Sequence, residues 1–460
     1  MKKLFLIIGI GIISNSFFAQ TKDSTVLSFS VQQAIDYAMQ NQYNVQNAII
    51  DQELAAQKVK EITGLGLPQI NASADFKDFI NIPTSLIPNQ AFNKFAPPGY
   101  TPAKFGTQYQ SVVGFDASQL LFSGDYIVGL QASKTYAELS LKNMQRTKVE
   151  TAVAVSKAYY TALINEQRTK LLDANIERVK TAMGGAQGMY AYGFVEKLDL
   201  DRLTVTYNNL VIEKEKIQRL LILSTYLLKY QMGMNVNANL VLTDKLEDIK
   251  LDVANNVSAE KFDYSKRVEY GLFETQKKLN QLDLKKSKFA FLPTAVLYGN
   301  LSGYGYSNGE GSISSGTPKN GDYFINHNFY PMTFVGAKIS MPIFTGFQRN
   351  SRTQQAKLSV QKADNNLESL KRSIDLELAS STTMLQNASV SLENQKKNIA
   401  LAEEVYRVTK YKYDQGVGTN LEVVTAESAL KEAQVNYYNA LFDAIVAKID
   451  FDKANGNLKY

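Results

Sequence analysis

Two carboxylates occupy matching places in the chain: Asp199 lies six residues beyond Gly193, and Glu422 lies six beyond Gly416. Glycine suits a tight turn between helices because it tolerates a positive φ. An acid just past such a turn falls in the first turn of the returning helix, where it complements the helix dipole. Other reactive chemistry is scarce. The 460 residues contain no cysteine and no tryptophan, and a single histidine, His327. That composition excludes disulfides, thiolate metal sites, cysteine nucleophiles and any two-histidine metal centre. Gly311 to Gly316 has the spacing of a phosphate loop, but Thr317-Pro318 follows where Lys-Ser/Thr is required. His327 reads as a solvated loop residue with no nucleophile near it in sequence. No catalytic, cofactor or metal site is expected, and the chain reads as something other than an enzyme.

The first residues read as an export signal. Lys2 and Lys3 precede an apolar run, Leu4 to Ile13, that is too short to stay in a bilayer as a helix. Cleavage after Ala19 defines residues 1–19 as the signal peptide. Its loss lowers the surplus of positive charge from +6 to +4, which gives no reason to expect a nucleic-acid partner. Beyond it no window of 18 apolar residues occurs, so a membrane crossing would have to be made without helices.

The elements that place Asp199 and Glu422 come in two sets. Leu67-Pro68 recurs as Leu292-Pro293, and Leu121-Phe122-Ser123-Gly124 as Ile343-Phe344-Thr345-Gly346. Tyr190 and Gly193 recur as Tyr413 and Gly416, and Met232-Gly233 is answered by Asn455-Gly456. All of these keep an offset between 222 and 225 residues. The chain is therefore divided into a first repeat (20–233), a linker (234–261), a second repeat (262–456) and a short tail (457–460). Each repeat has a helical run (29–66, then 262–290), a strand, a connecting loop, a second strand, and a long helix that turns at glycine into a returning one. Pro68, Gly124, Pro293 and Gly346 mark the junctions between strands and helices.

The strands alternate. Ile70, Ala72, Ala74 and Phe76 share one face, with Gln69, Asn71, Ser73, Asp75 and Lys77 on the other. Val335, Ala337, Ile339, Met341 and Ile343 alternate with Gly336, Lys338 and Ser340. The loops between strands, Ile80 to Gly106 and Ser307 to Pro331, are rich in proline and aromatics or in glycine and serine. In the second long helix Leu378, Leu385, Leu392, Ile399, Tyr406 and Tyr413 recur every seven residues, a coiled-coil pattern. From Asp125 to Tyr190 a continuous helix would run about 100 Å. Four amphipathic strands cannot close a sheet alone, and symmetric self-association into a tube would close it.

The Leu-Pro after the first helix, the Leu/Ile-Phe-x-Gly that opens the long helix, and the Tyr-x-x-Gly turn followed by Leu-Glu-Val-Val resemble the TolC-like outer-membrane efflux family. The likeness runs in order through both repeats. It implies an α+β membrane protein: four strands per protomer, twelve in a homotrimeric β-barrel, continuing into an α-helical barrel of coiled-coil helices in the periplasm. It also implies an exit duct in the outer membrane of a Gram-negative bacterium. Such a duct works with a periplasmic adaptor (membrane fusion) protein and an inner-membrane transporter, for tripartite efflux or type I secretion. On that resemblance Gly193 and Gly416 mark the periplasmic mouth, and Asp199 and Glu422 take the positions of constriction acids. A trimer would set them as a ring of carboxylates that attracts cations. Tyr413 matches a latch tyrosine, with Tyr190 its counterpart by repeat, though heptad packing accounts for both equally well. Three departures stand out. Thr425 replaces a further acid, Gly418 stands where a bridging arginine can occur, and Asp125 and Phe347 replace a second glycine at the junctions. The competing class is a periplasmic coiled-coil scaffold or adaptor without a pore.

Overall fold

The computed structural model describes residues 27–91, 93–246, 262–307 and 329–458. The signal peptide assigned to 1–19, residues 247–261 of the linker, Phe92, Gly311 to Gly316, His327 and most of the second interstrand loop lie outside the described residues. The chain forms two compact units, one of 1–46, 148–260 and 378–460, the other of 47–147 and 261–377.

The second unit contains the alternating strands. Four of them, β2 (Gln69–Asp78), β5 (Tyr109–Phe122), β7 (Thr294–Ser307) and β8 (Phe329–Ser340), form one antiparallel sheet in the order β2-β5-β7-β8. The register aligns Ala72 with Phe115, Phe115 with Leu301, and Leu301 with Thr333. Apolar side chains therefore gather on one face, which is open in the protomer: Ile70 is 71 % exposed, Leu301 56 % and Val335 76 %. On the other face the Asn300 amide donates to Asp116 Oδ1 at 2.8 Å, and Ser302 Oγ donates to Asn300 Oδ1 at 2.6 Å.

Gly114 lies on that polar face, directly opposite Ser302. A Cβ at Gly114 would stand 2.6 Å from Ser302 Cβ, where directly paired residues ordinarily keep about 4.5–5.5 Å. Among the described residues, neither β2 nor β8 has a neighbour on its outer edge.

The stretch expected as a loop between β2 and β5 contains a hairpin, β3 (Thr84–Pro88) with β4 (Tyr100–Lys104). Asn89 closes its turn by accepting the Thr101 hydroxyl at 2.7 Å.

The helical run expected over 29–66 is divided. Strand β1 (Leu27–Phe29) is followed by α1 (Val31–Asn41) and α2 (Tyr43–Gly64). Ser30 starts α1 with a capping box shared with Gln33, and Gln42 breaks the run in an extended conformation, its side-chain oxygen Oε1 accepting the Asn44 N–H. In the linker, β6 (Leu240–Leu242) pairs with β1 in parallel. Around that pair the first unit builds its core from Ala34, Ile35, Val155, Tyr159, Leu228 and Ile445. The Tyr159 hydroxyl donates to the Phe29 carbonyl at 2.9 Å, and its burial raises its pKa.

Two long helices, α3 (Gly124–Ala191) and α6 (Gln348–Asp414), contribute to both units, and α4 (Lys197–Met232) and α7 (Asn420–Ala454) return from them. The remaining helix, α5 (Val268–Phe289), precedes β7 as α2 precedes β2. Every member of the seven-residue series from Leu378 to Tyr413 is buried or half-buried, while most of the residues flanking them are exposed. Pro68 and Pro293 lie between helix end and strand start, as expected of residues that stop helices. Gly124 begins α3 with its α-carbon tight against the Phe289 carbonyl; a Cβ there would stand 2.7 Å from that oxygen. At the other junction Gly346 and Phe347 both take left-handed backbone, φ 58° and 61°. Phe347 is the non-glycine residue found there among the described residues, and the Phe344 ring packs edge-on against it at 5.6 Å.

Candidate periplasmic gate

The two helix-to-helix turns share one geometry. Gly193 has φ 77° and Gly416 φ 76°. In each, the glycine N–H returns to the tyrosine carbonyl three residues back, Tyr190 at 3.0 Å and Tyr413 at 2.9 Å. The next N–H reaches one residue further, Phe194 to Met189 at 2.9 Å and Val417 to Lys412 at 3.0 Å. This is the Schellman closure, which places glycine where a side chain would strain the backbone.

The acids past the turns are held differently. Glu422 belongs to a capping box: it accepts the Thr419 N–H at 3.1 Å, and Thr419 Oγ1 accepts the Glu422 N–H at 3.3 Å. Its side chain is otherwise open to solvent. Asp199 has no such role, since the preceding N-cap, Glu196, makes no side-chain cap. It is half-buried, 3.6 Å from Arg202 Nη1, and its carbonyl accepts the Asn420 amide at 3.1 Å. That bond ties the start of α7 to the start of α4.

Tyr413 faces inward. Burial raises its pKa, and the negative charges of Asp199 and Asp414 raise it further. Tyr190 is 44 % exposed and joins none of these contacts beyond its carbonyl. Gly418 packs against the end of α6, where a Cβ would stand 3.0 Å from the Tyr413 nitrogen. Thr425 turns its hydroxyl back to the Leu421 carbonyl at 2.7 Å.

The structure thus brings Asp199, Tyr413 and Asn420 together, and leaves Glu422 and Tyr190 on the surface of the same turns. A cavity of 640 Å3 opens behind Tyr413, lined also by Arg178, Tyr406, Asp414, Asn420 and Leu203. Its polar wall contains Arg178, which sequence reasoning missed, as it missed Glu427 of α7, 3.5 Å from that guanidinium. Among the described residues no cluster of His, Cys, Asp or Glu could hold a metal ion, and no helix is long and apolar enough to cross a membrane.

Residues 288–457 match the family model of the outer membrane efflux protein. The chain is TolC-like. It is 20 % identical over 350 residues to the outer membrane protein TolC of Vibrio cholerae, covering 75 % of this chain and 76 % of that one. Solved folds agree over almost the whole length. A membrane protein from Pseudomonas aeruginosa superposes with a TM-score of 0.73 at 16 % identity, covering 94 % of this TolC-like chain and 93 % of the other. The CmeC outer membrane channel of Campylobacter jejuni gives 0.70 at 16 % identity, with coverage of 99 % and 94 %. The matched segment 288–457 takes in β7, β8, α6 and α7, including Gly416, Glu422 and Tyr413.

Proposed function

We propose that the protein is the exit duct of a tripartite efflux or type I secretion system, a passive channel in the outer membrane of a Gram-negative bacterium. One observation carries this reading: a four-stranded sheet with an open apolar face, whose two edge strands have no neighbour among the described residues. A lone sheet with open edges is unstable, and closure into a ring of copies removes both edges at once. Three copies make a twelve-stranded barrel, with the apolar face to lipid and the polar face to a water-filled lumen. The two repeats, 20–233 and 262–456, each supply half of a protomer's strands and one helical hairpin. A periplasmic adaptor and an inner-membrane transporter complete the system, and chemistry on the cargo is left to none of this chain's residues. A scaffold without a pore would have no use for the exposed apolar face of the sheet.

In this duct Asp199 and Glu422 ring the periplasmic mouth, with Gly193 and Gly416 forming its turns, Tyr413 packed behind Asp199, and Tyr190 at its surface. The charge of Glu422 and its capping role can be separated, because glutamine serves a capping box as well as glutamate does. In planar bilayers the Asp199→Asn/Glu422→Gln double variant should lose cation preference while keeping the thermal stability of the parent. Thr419→Ala should do the reverse, losing about 1 kcal/mol of stability with selectivity unchanged. Unaltered selectivity in the double variant would leave Glu422 a helix cap and nothing more.

A further inference from the structure

Away from the turns, α3, α4 and α7 line a second cavity, of 450 Å3. Small-molecule sites ordinarily occupy about 300–1,000 Å3. All of its lining residues belong to the first unit. Leu171, Leu172, Ile212, Ile217, Leu220 and Val435 make its walls apolar. Ile212 is 64 % exposed, so part of that apolar wall stands open. Two of the polar lining residues close on one another, the Asn175 amide donating to Gln434 Oε1 at 3.0 Å.

The charges around this cavity do not balance. Arg168, Lys216 and Lys431 line it together with one acid, Glu213. Glu213 is taken up by an ion pair with Lys431. Asp173, next to Leu172 in sequence, is held by Lys214 of α4 at 2.5 Å. Arg168 and Lys216 form no ion pair among the described residues.

Arg168 is the more telling of the two. Its guanidinium donates to a neutral partner, Asn439 Oδ1 of α7. Burial pulls its pKa below the usual arginine value, and the charge of Glu213 opposes that shift. A cation withdrawn from water needs an opposite charge or a full set of hydrogen bonds in place of its hydration. Arginine carries five N–H donors in a fork that matches a two-oxygen anion, and Asn439 accepts from one of its nitrogens. Neither cation is duplicated in the second repeat: 223 residues on from Arg168 stands Ser391, and 223 on from Lys216 stands Asn439.

We propose that this cavity is a binding site for an amphipathic anion, a molecule with an apolar ring or chain and a single sulfonate, sulfate or carboxylate head. The head meets the fork of Arg168, which is thereby paired, and Lys216 adds a second positive charge at the exposed rim. The body lies along Leu171, Ile212, Leu220 and Val435. A neutral molecule of the same shape leaves Arg168 as unpaired as before, and a cation is repelled. A head with a second negative charge gains nothing from Lys431, which Glu213 already neutralises. The site lies on the helices and stands without the reading of the chain as a duct, so the failure of either leaves the other untouched.

The test titrates the full chain, in micelles of a neutral detergent, with anilinonaphthalenesulfonate, an amphipathic anion whose emission rises in apolar surroundings. The chain has no tryptophan to contribute to the signal. The parent should show a saturable component above the background from detergent and from the apolar face of the sheet. Arg168→Gln/Lys216→Gln should weaken that component about tenfold or more, the scale of a hydrogen bond to a charged group. Phenylnaphthylamine, which has the same rings and no sulfonate, should bind parent and variant alike. Lys170→Gln/Arg219→Gln removes two exposed cations that do not line the cavity, and it should bind the anion as the parent does. Helical content by circular dichroism checks folding, and Lys216→Gln alone, at an exposed position, should still weaken binding several-fold if the double variant does not fold. The site is overturned by a parent without a saturable component, or by equal affinity in the folded variants that lack Arg168 and Lys216 or Lys216 alone. An equal loss in Lys170→Gln/Arg219→Gln, or a matching loss of phenylnaphthylamine, would overturn it as well.

Discussion

Replacing Leu301 with arginine should prevent the protein from entering a bilayer. Leu301 sits in the middle of β7, between Phe115 on β5 and Thr333 on β8, on the apolar face of the sheet. If that face meets lipid, a central arginine costs about 2–4 kcal/mol, and a ring of copies incurs the cost once per copy. The measurement is the fraction of protein assembled into phosphatidylcholine vesicles, read by protection from protease. Asn71→Arg is the matched control. Asn71 pairs with Asp116 on the polar face, so its arginine would project into water beside an acid. Equal insertion of the two variants would mean that the apolar face does not meet lipid.

The second large effect is expected at Gly233→Ala. Gly233 ends α4 with φ 71°, and its amide returns to the Lys229 and Tyr230 carbonyls. A Cβ there would approach the backbone of Asn41 and Gln42, at the break between α1 and α2. Left-handed backbone costs about 1–2 kcal/mol for a residue other than glycine. Overpacking against an immovable backbone adds about 1–3 kcal/mol. The sum, about 2–5 kcal/mol, would appear as a marked drop in the thermal transition of the helical signal. Gly193→Ala offers the contrast: its φ is 77°, but open space surrounds it, so strain alone remains. Equal destabilisation of the two variants would show that the Asn41 contact contributes nothing.

Much of this molecule could be read from its residues. Alternation between Gln69 and Lys77 correctly separated the two faces of β2, and the heptad series from Leu378 to Tyr413 coincides with the buried line of α6. Gly193 and Gly416 were identifiable as turns because few other residues tolerate that backbone. What escaped was long-range or locally ambiguous. The parallel pairing of β1 with β6 joins residues more than two hundred positions apart, and a three-residue strand has no periodicity to detect. The β3–β4 hairpin was hidden by its prolines, Pro88 and Pro102, which argue against strands unless an edge is available.

The Arg178–Glu427 pair left a fainter trace. Val423, Glu427, Leu430 and Gln434 follow the spacing of a buried stripe on α7, and a charged residue within such a stripe signals a buried partner. The partner itself, on a helix more than two hundred residues earlier, could not be inferred from that stripe. The acids told less than they promised. Asp199 and Glu422 occupy matching positions in sequence, yet one is half-buried beside Arg202 and the other closes a capping box, because Thr419 can cap where Glu196 does not.

If copies close a shared barrel, β8 of one completes the sheet of another by pairing with its β2. Since the chain has no cysteine, introduced ones report cleanly. Within a protomer β2 and β8 are separated by β5 and β7, about 14 Å at the usual strand spacing. A disulfide requires α-carbons within about 7 Å, so none can form inside one protomer across a sheet of this order. Cysteines placed together at Ala74 on β2 and at successive positions from Val335 to Ile339 on β8 should, in one register, give a ladder on a denaturing gel that ends at three chains. If every such pair remains monomeric after oxidation in the membrane, the edges do not meet and the account of a shared barrel is wrong.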